Sequence, residues 1–336
     1  MAAAVDHSLQ RKNALAQARP VDNAGAYVAA ADSAFDLSTT IFKTLPQGYK
    51  TFFQRTKLDA KLLWHPQAIA RIEAAYTNAG PAPSLADDAN LHRFMLTACD
   101  FSTEHADGSF LDHLHFCREY AARHYSTVSP RIMLLHSIMG VGTNCFPMEL
   151  DKLPALRSLL TADEMVHVEA FPSVLRLLIH GPLLTELVGC DAAWLSRLRG
   201  LKMRRLLDNA PLEISAEQLW VQLNLQMIHA IDFLPPGGWQ RTSNEYFFAV
   251  FIALHKLLTA IGKRDARVEW DESWRQPACD GVRPPTWRHW LIDMVPCAAI
   301  SAMAAKQIGK YSAAIGHSLE YELVFADASP GVMSRL

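Results

Sequence analysis

The sequence predicts an all-α fold, and three observations carry that prediction. Apolar residues recur at spacings of three and four over segment after segment. Helix-start signals stand in front of several of those segments: Ser109 with Asp112, Ser129-Pro130, Thr161 with Glu164, Ser215 with Gln218, and Thr242 with Glu245. No run alternates with period two for long enough to make a sheet. Half of the 336 residues are hydrophobic, enough for a sizeable core.

Taken in order, residues 1–25 read as a loose, Ala-rich arm. Helical pattern begins near Ala26 and is interrupted by the turn Pro46-Gln47-Gly48; Leu58 to Tyr76 then carries a helix-like apolar set. Asn78 to Ser84, rich in Gly and Pro, is a linker. Leu91 to Cys99 reads as a helix leading into the central stretch. Beyond that stretch, Thr161 opens a capped helix containing the apolar run Val174 to Ile179. Arg197, Arg199, Lys202, Arg204 and Arg205 surround Gly200. They read as a solvated helix face, with a phosphate-bearing ligand as the alternative. The Ser215–Gln218 capping box opens a helix ending at Asp232, before Pro235-Pro236-Gly237-Gly238; His229, one turn earlier, shares a face with Asp232. Thr242 with Glu245 caps a helix running to Gly262. A connection bearing Trp270 and Trp274 follows, and then an Ala-rich helical region from Thr286 to about Lys310, broken near Pro296.

Histidine concentrates in the centre. Of fourteen in the chain, five fall between His105 and Asn144: His105, His113, His115, His124 and His136. Ser109 and Asp112 predict a helix from about Phe110 to Tyr125, where Phe110, Leu114, Cys117, Ala121 and Tyr125 draw one apolar stripe. His113 lies in its first turn, at the edge of that stripe. Ser129 as cap and Pro130 at the first helical position predict a second helix, ended by Gly140 and Gly142. His136 shares its face with Ile132, Leu135 and Met139, so its imidazole needs a partner; a buried polar group left unpaired costs about 1–3 kcal/mol.

FLDHL followed by LLHSIMGVGTN resembles the HD superfamily of all-α metal-dependent enzymes, more narrowly an HD-like domain in which His-Ser replaces His-Asp. The resemblance runs from His105 to about Asp232. It implies an HD-like helical bundle core with additional N- and C-terminal helices. It also implies a metal site in which His113 matches the first ligand, His136 the second and Asp232 the last, with His105 as a further candidate. Ser137 stands where the superfamily has its Asp. A hydroxyl cannot bridge two ions as a carboxylate does, so the expectation is one divalent ion (iron, manganese or zinc) or none. The expected function is hydrolysis or non-haem iron oxygenation of a small molecule. The alternative is a helical binding or scaffold protein that has lost its metal, with His136 as a core imidazole satisfied by a carbonyl or water.

Composition narrows the partners. With 32 Lys and Arg against 34 Asp and Glu, nothing suggests nucleic acid. No apolar run reaches membrane-spanning length. The six cysteines form no CxxC, which fits reduced thiols inside a cell. There is no P-loop, G-x-S-x-G or HExxH. Ser334-Arg335-Leu336 is similar to a peroxisomal import tripeptide, which makes the import receptor an expected partner and the peroxisome the expected address, with the cytoplasm otherwise. The expected divisions are an arm at 1–25, helical regions at 26–85 and 236–325, an HD-like core at 86–235, and a tail at 326–336.

Overall fold

The computed structural model describes residues 89–99, 104–105, 108–140, 142, 144, 146–233, 246–268 and 297–326. The expected arm, the N-terminal helices and linker, the Thr242–Glu245 cap, most of the Trp-bearing connection and the C-terminal tripeptide lie outside them.

The protein is mostly helical there. They are α1 (Ala89–Ala98), α2 (Phe110–His124), α3 (Arg131–Leu135), α4 (Leu153–Leu159), α5 (Ala162–His180), α6 (Pro182–Gly189), α7 (Ala192–Leu195), α8 (Ala216–Phe233), α9 (Tyr246–Ala260) and α10 (Cys297–Ala314). A two-residue ladder, β1 (Glu104–His105) with β2 (Gly108–Ser109), immediately precedes α2.

Two helices form the centre. Fifteen of the 19 residues of α5 are buried, the polar Glu164, His167, Glu169 and Arg176 among them, so it is enclosed on nearly every side. Around it pack α3, α6, α8, α9 and α10. In α8, Gln222 to Ala230 form an unbroken buried run, touching α2, α5 and α9. Three polar side chains of that run hydrogen-bond across the fold. Gln226 donates to the Phe171 carbonyl at 3.1 Å. Gln222 Nε2 lies 2.9 Å from His167 Nδ1 and also meets the His167 carbonyl. Asn224 donates to the Trp220 and Lys263 carbonyls and accepts from the amides of Asp265 and Ala266.

The capping signals behave unevenly. Thr161 and Glu164 close a reciprocal capping box at the start of α5, as do Ser215 and Gln218 at α8. Ser129 does not cap α3. Pro130 occupies the cap position in helical geometry, and the Ser129 hydroxyl instead donates to Glu164 Oε1 at 2.6 Å. The helix expected to run to Gly140 ends at Leu135, with His136 at its C-cap; Gly140, with φ at +122°, follows a further turn.

A sheet corrects the all-α expectation. β3 (Leu198–Arg204) runs antiparallel to both β4 (Pro211–Ser215) and β5 (Glu322–Phe325), in the order β4-β3-β5. The expected basic helix face is therefore a strand. Lys202 pairs with Glu322 at 3.1 Å, and Arg205 with Glu169 and Asp208, each at 2.6 Å. Arg197 donates to the Ala326 carbonyl and lies over the Trp194 ring. The strand was hidden because a register shift between Leu198 and Gly200 breaks its alternation: Gly200 and Leu201 are both buried.

Candidate functional site

His136 sits at the C-terminal cap of α3 and is fully buried. Its Nδ1 is 2.7 Å from the Met133 carbonyl. A carbonyl only accepts, so Nδ1 carries the proton, and in the neutral ring Nε2 presents its lone pair. That is how a metal-ligating imidazole is commonly oriented: the nitrogen away from the ion donates to a backbone carbonyl.

Two further rings close on it. His229 of α8, 5% exposed, places its ring centroid 4.8 Å from that of His136, nearly edge-on. Phe171 of α5 lies 4.7 Å from His136 and 5.4 Å from His229. The three rings come from α3, α5 and α8, and the Gln226–Phe171 bond fixes the last two helices to each other at this level. Ser137 is also buried, and its carbonyl accepts from Gly140.

The other expected ligands are located through their backbones. His113 is in the first turn of α2 and Asp232 in the last turn of α8, while His105 pairs with Gly108 in the short ladder. α2, which bears His113, packs on both α3 and α8, and the His136 and His229 rings meet between the latter two. Among the residues whose side chains are described, no group of three or more His, Cys, Asp or Glu could hold an ion. The side chains of His105, His113 and Asp232 fall outside that set. The donors that are described, two imidazole nitrogens, suit zinc or iron better than magnesium or calcium.

Two buried cations escaped the sequence reading. Arg176 lies inside the apolar run of α5, and its guanidinium donates to Asn144 Oδ1 at 2.8 Å and Ser312 Oγ at 3.1 Å. Burial pulls its pKa down to about 10, opposed by Tyr311, so it stays charged at neutral pH. His317 joins this cluster; its Nε2 donates to the Arg204 carbonyl at 3.1 Å, and burial holds its pKa low. In α2, buried Arg118 donates to Glu119 at 2.7 Å. Burial pushes the Glu119 carboxyl up against the pull of Arg118 and Arg123. An arginine inside an apolar helix, as in Val174-Leu175-Arg176-Leu177, was the available signal for the first.

A cleft of about 680 Å³ lies elsewhere, walled by Leu178 to Pro182 and Leu184 to Glu186, by Ala249 and Val250 of α9, and by Ser301, Ala302 and Ala305 of α10. None of the expected site residues lines it. Among the described residues no single helix is long and apolar enough to cross a membrane, although α5 and α6, bent by 80°, pass together by length and composition. No family model matches the chain, and no curated protein or solved structure is significantly similar to it.

Proposed function

We propose that this chain is an HD-like metal-dependent enzyme, a hydrolase or non-haem iron oxygenase, acting on a small molecule. His136 anchors a single divalent ion. His113 and Asp232, and His105 if it reaches, complete the shell. One observation carries this reading: the buried imidazole of His136 is held in the tautomer that turns Nε2 away from its own helix carbonyl. Support also comes from the packing of α2, α3 and α8. Bound there, an ion would supply Lewis acidity for hydrolysis, or redox capacity toward O₂ if it is iron. The chain itself supplies orientation and exclusion of water: Met133 fixes the imidazole, and Phe171 walls one side.

The second reading, a helical binding protein without a metal, is favoured by the same packing. A carbonyl at Nδ1, one tilted ring and one edge-on ring are also what a core histidine needs. Turnover separates the two. The full chain is assayed for phosphate release from nucleoside monophosphates and p-nitrophenyl phosphate, and for O₂ uptake, with Mn²⁺, Fe²⁺ or Zn²⁺ added. Turnover that needs the ion and vanishes in folded His136→Ala is expected. Turnover that survives both chelation and that substitution contradicts the proposal.

A further inference from the structure

We propose that His317 is an acid-sensitive latch: its neutral ring holds residues 316–326 against β3, and uptake of a proton shifts that segment toward an open state. The device is independent of any bound metal. It is built by the end of α10. Gly316, with φ at +69°, donates its amide to the Ala313 carbonyl, and the His317 amide donates to the Ser312 carbonyl. These are the paired bonds of a helix closed by a left-handed glycine, after which an apolar residue ordinarily packs back on the last turn. Here that residue is a histidine, set against Ser312. Of residues 316–326, His317 alone is buried; the rest, β5 included, are half-buried or exposed. One side chain therefore plugs the whole segment into the core.

Hydrogen bonding selects the protonation state that fits. The Arg204 carbonyl only accepts, so Nε2 carries a proton. Nδ1 keeps its lone pair and faces the Ser312 hydroxyl at 3.5 Å, whose oxygen accepts from Arg176 at 3.1 Å. A proton at Nδ1 would aim a second donor at that oxygen and set an imidazolium beside a buried guanidinium. Burial and the Arg176 charge both oppose it. The other groups described around the ring do not offset this. Tyr311 of α10 keeps its phenol proton, since burial raises its pKa. Asp208, in the turn between β3 and β4, is paired with Arg205, and Asn209 beside it accepts from the Ser318 amide. Glu322 of β5 is paired with Lys202.

Opening removes the conflict, because a hydrated ring charges at its ordinary value of 6.5. The docked form is fully favoured above about pH 6.5 and loses ground as pH falls below it. A single proton limits the gain to about tenfold in the opening equilibrium between pH 7.5 and 5.5. Opening takes β5 off β3, and with it Phe325 from Trp194 and the Ala326 carbonyl from Arg197, leaving a strand edge and an indole uncovered.

The test is amide hydrogen exchange of the full-length chain, resolved by residue, at pH 7.5, 6.5 and 5.5, with the intrinsic pH dependence of exchange divided out. Wild type is compared with His317→Gln, whose side-chain amide still reaches the Arg204 carbonyl and does not titrate. In wild type, β5 amides should exchange faster than those of α5 and α8, with an opening constant that rises about five- to tenfold from pH 7.5 to 5.5. That rise should vanish in His317→Gln. A rise under twofold in wild type, a rise that persists in the variant, or β5 amides that exchange only together with the core would each overturn the latch. If His317→Gln does not fold, an NMR titration of the wild-type His317 ring decides. Charging below pH 6.5, with the neutral ring protonated at Nε2, supports the latch; charging at or above 6.5 with β5 still protected overturns it.

Discussion

Glu164 shows how much one carboxylate does in this chain. It closes the capping box with Thr161, accepts from the Ser129 hydroxyl and pairs with Arg131 at 3.2 Å, tying α3 to the start of α5. Burial pushes its pKa up, but the bonds from Ser129, Thr161 and Arg131 outweigh that and hold it below the usual value. Glu164→Ala removes the cap and leaves the Ser129 and Arg131 donors without this acceptor, so it should cost about 2–4 kcal/mol. Urea unfolding monitored by circular dichroism measures it; a loss under 1 kcal/mol would show that the network is peripheral. The capping box was legible from Thr161 and Glu164 alone. The role of Ser129 was not, because a hydroxyl before a proline has the same sequence whether it caps its own helix or reaches another. His229 was visible as a neighbour of Asp232, but its meeting with His136 depends on how α3 and α8 pack. Local spacing contains no such information.

At the scale of elements, the long helices were legible, whereas the sheet, the short helix α4 at a segment read as a loop, and the early end of α3 were not. Helices α2, α5 and α8 begin and end within a residue or two of their sequence signals, since caps and period act locally. β3 fails the alternation test because of its bulge, and its partner β5 lies more than a hundred residues downstream. Gly200 is where that sheet is tightest: a Cβ there would stand 2.5 Å from the Ile214 carbonyl oxygen. Gly200→Ala should therefore push β3 and β4 apart and destabilise the protein by about 2–4 kcal/mol, through overpacking against backbone that cannot rotate aside. Amide exchange resolved by residue would show lost protection at Leu201 and Ile214 before the helices are affected. Unchanged protection there would mean that the strands absorb the methyl group. Gly142, whose surroundings are open, serves as the comparison.

For the whole molecule, acid sensitivity follows from imidazoles kept neutral. Burial lowers the pKa of His167, of His255 and of His317 below the ordinary 6.5, with Arg264 adding to the effect at His255 and Arg176 at His317. A histidine with a depressed folded-state value binds its proton more readily when unfolded. Stability is then full above about pH 6.5 and falls as pH drops below it toward the folded-state values. Glu119, pushed up by burial, has the opposite sign and favours the folded state as pH falls toward its own range. Three imidazoles against one carboxyl predict a net loss between pH 6.5 and 5.5, seen as a lower urea midpoint. A midpoint that rises over that interval would contradict the assignment of neutral, buried histidines.

The reading of the molecule as a metalloprotein meets its most direct test in elemental analysis of the purified full-length chain, beside His113→Ala/His136→Ala. About one equivalent of iron, manganese or zinc in wild type, absent from the folded double variant, is predicted. A folded wild type carrying no ion, even after reconstitution with each metal under reducing conditions, would contradict it. His136 and His229 would then be core imidazoles held by Met133, Phe171 and each other.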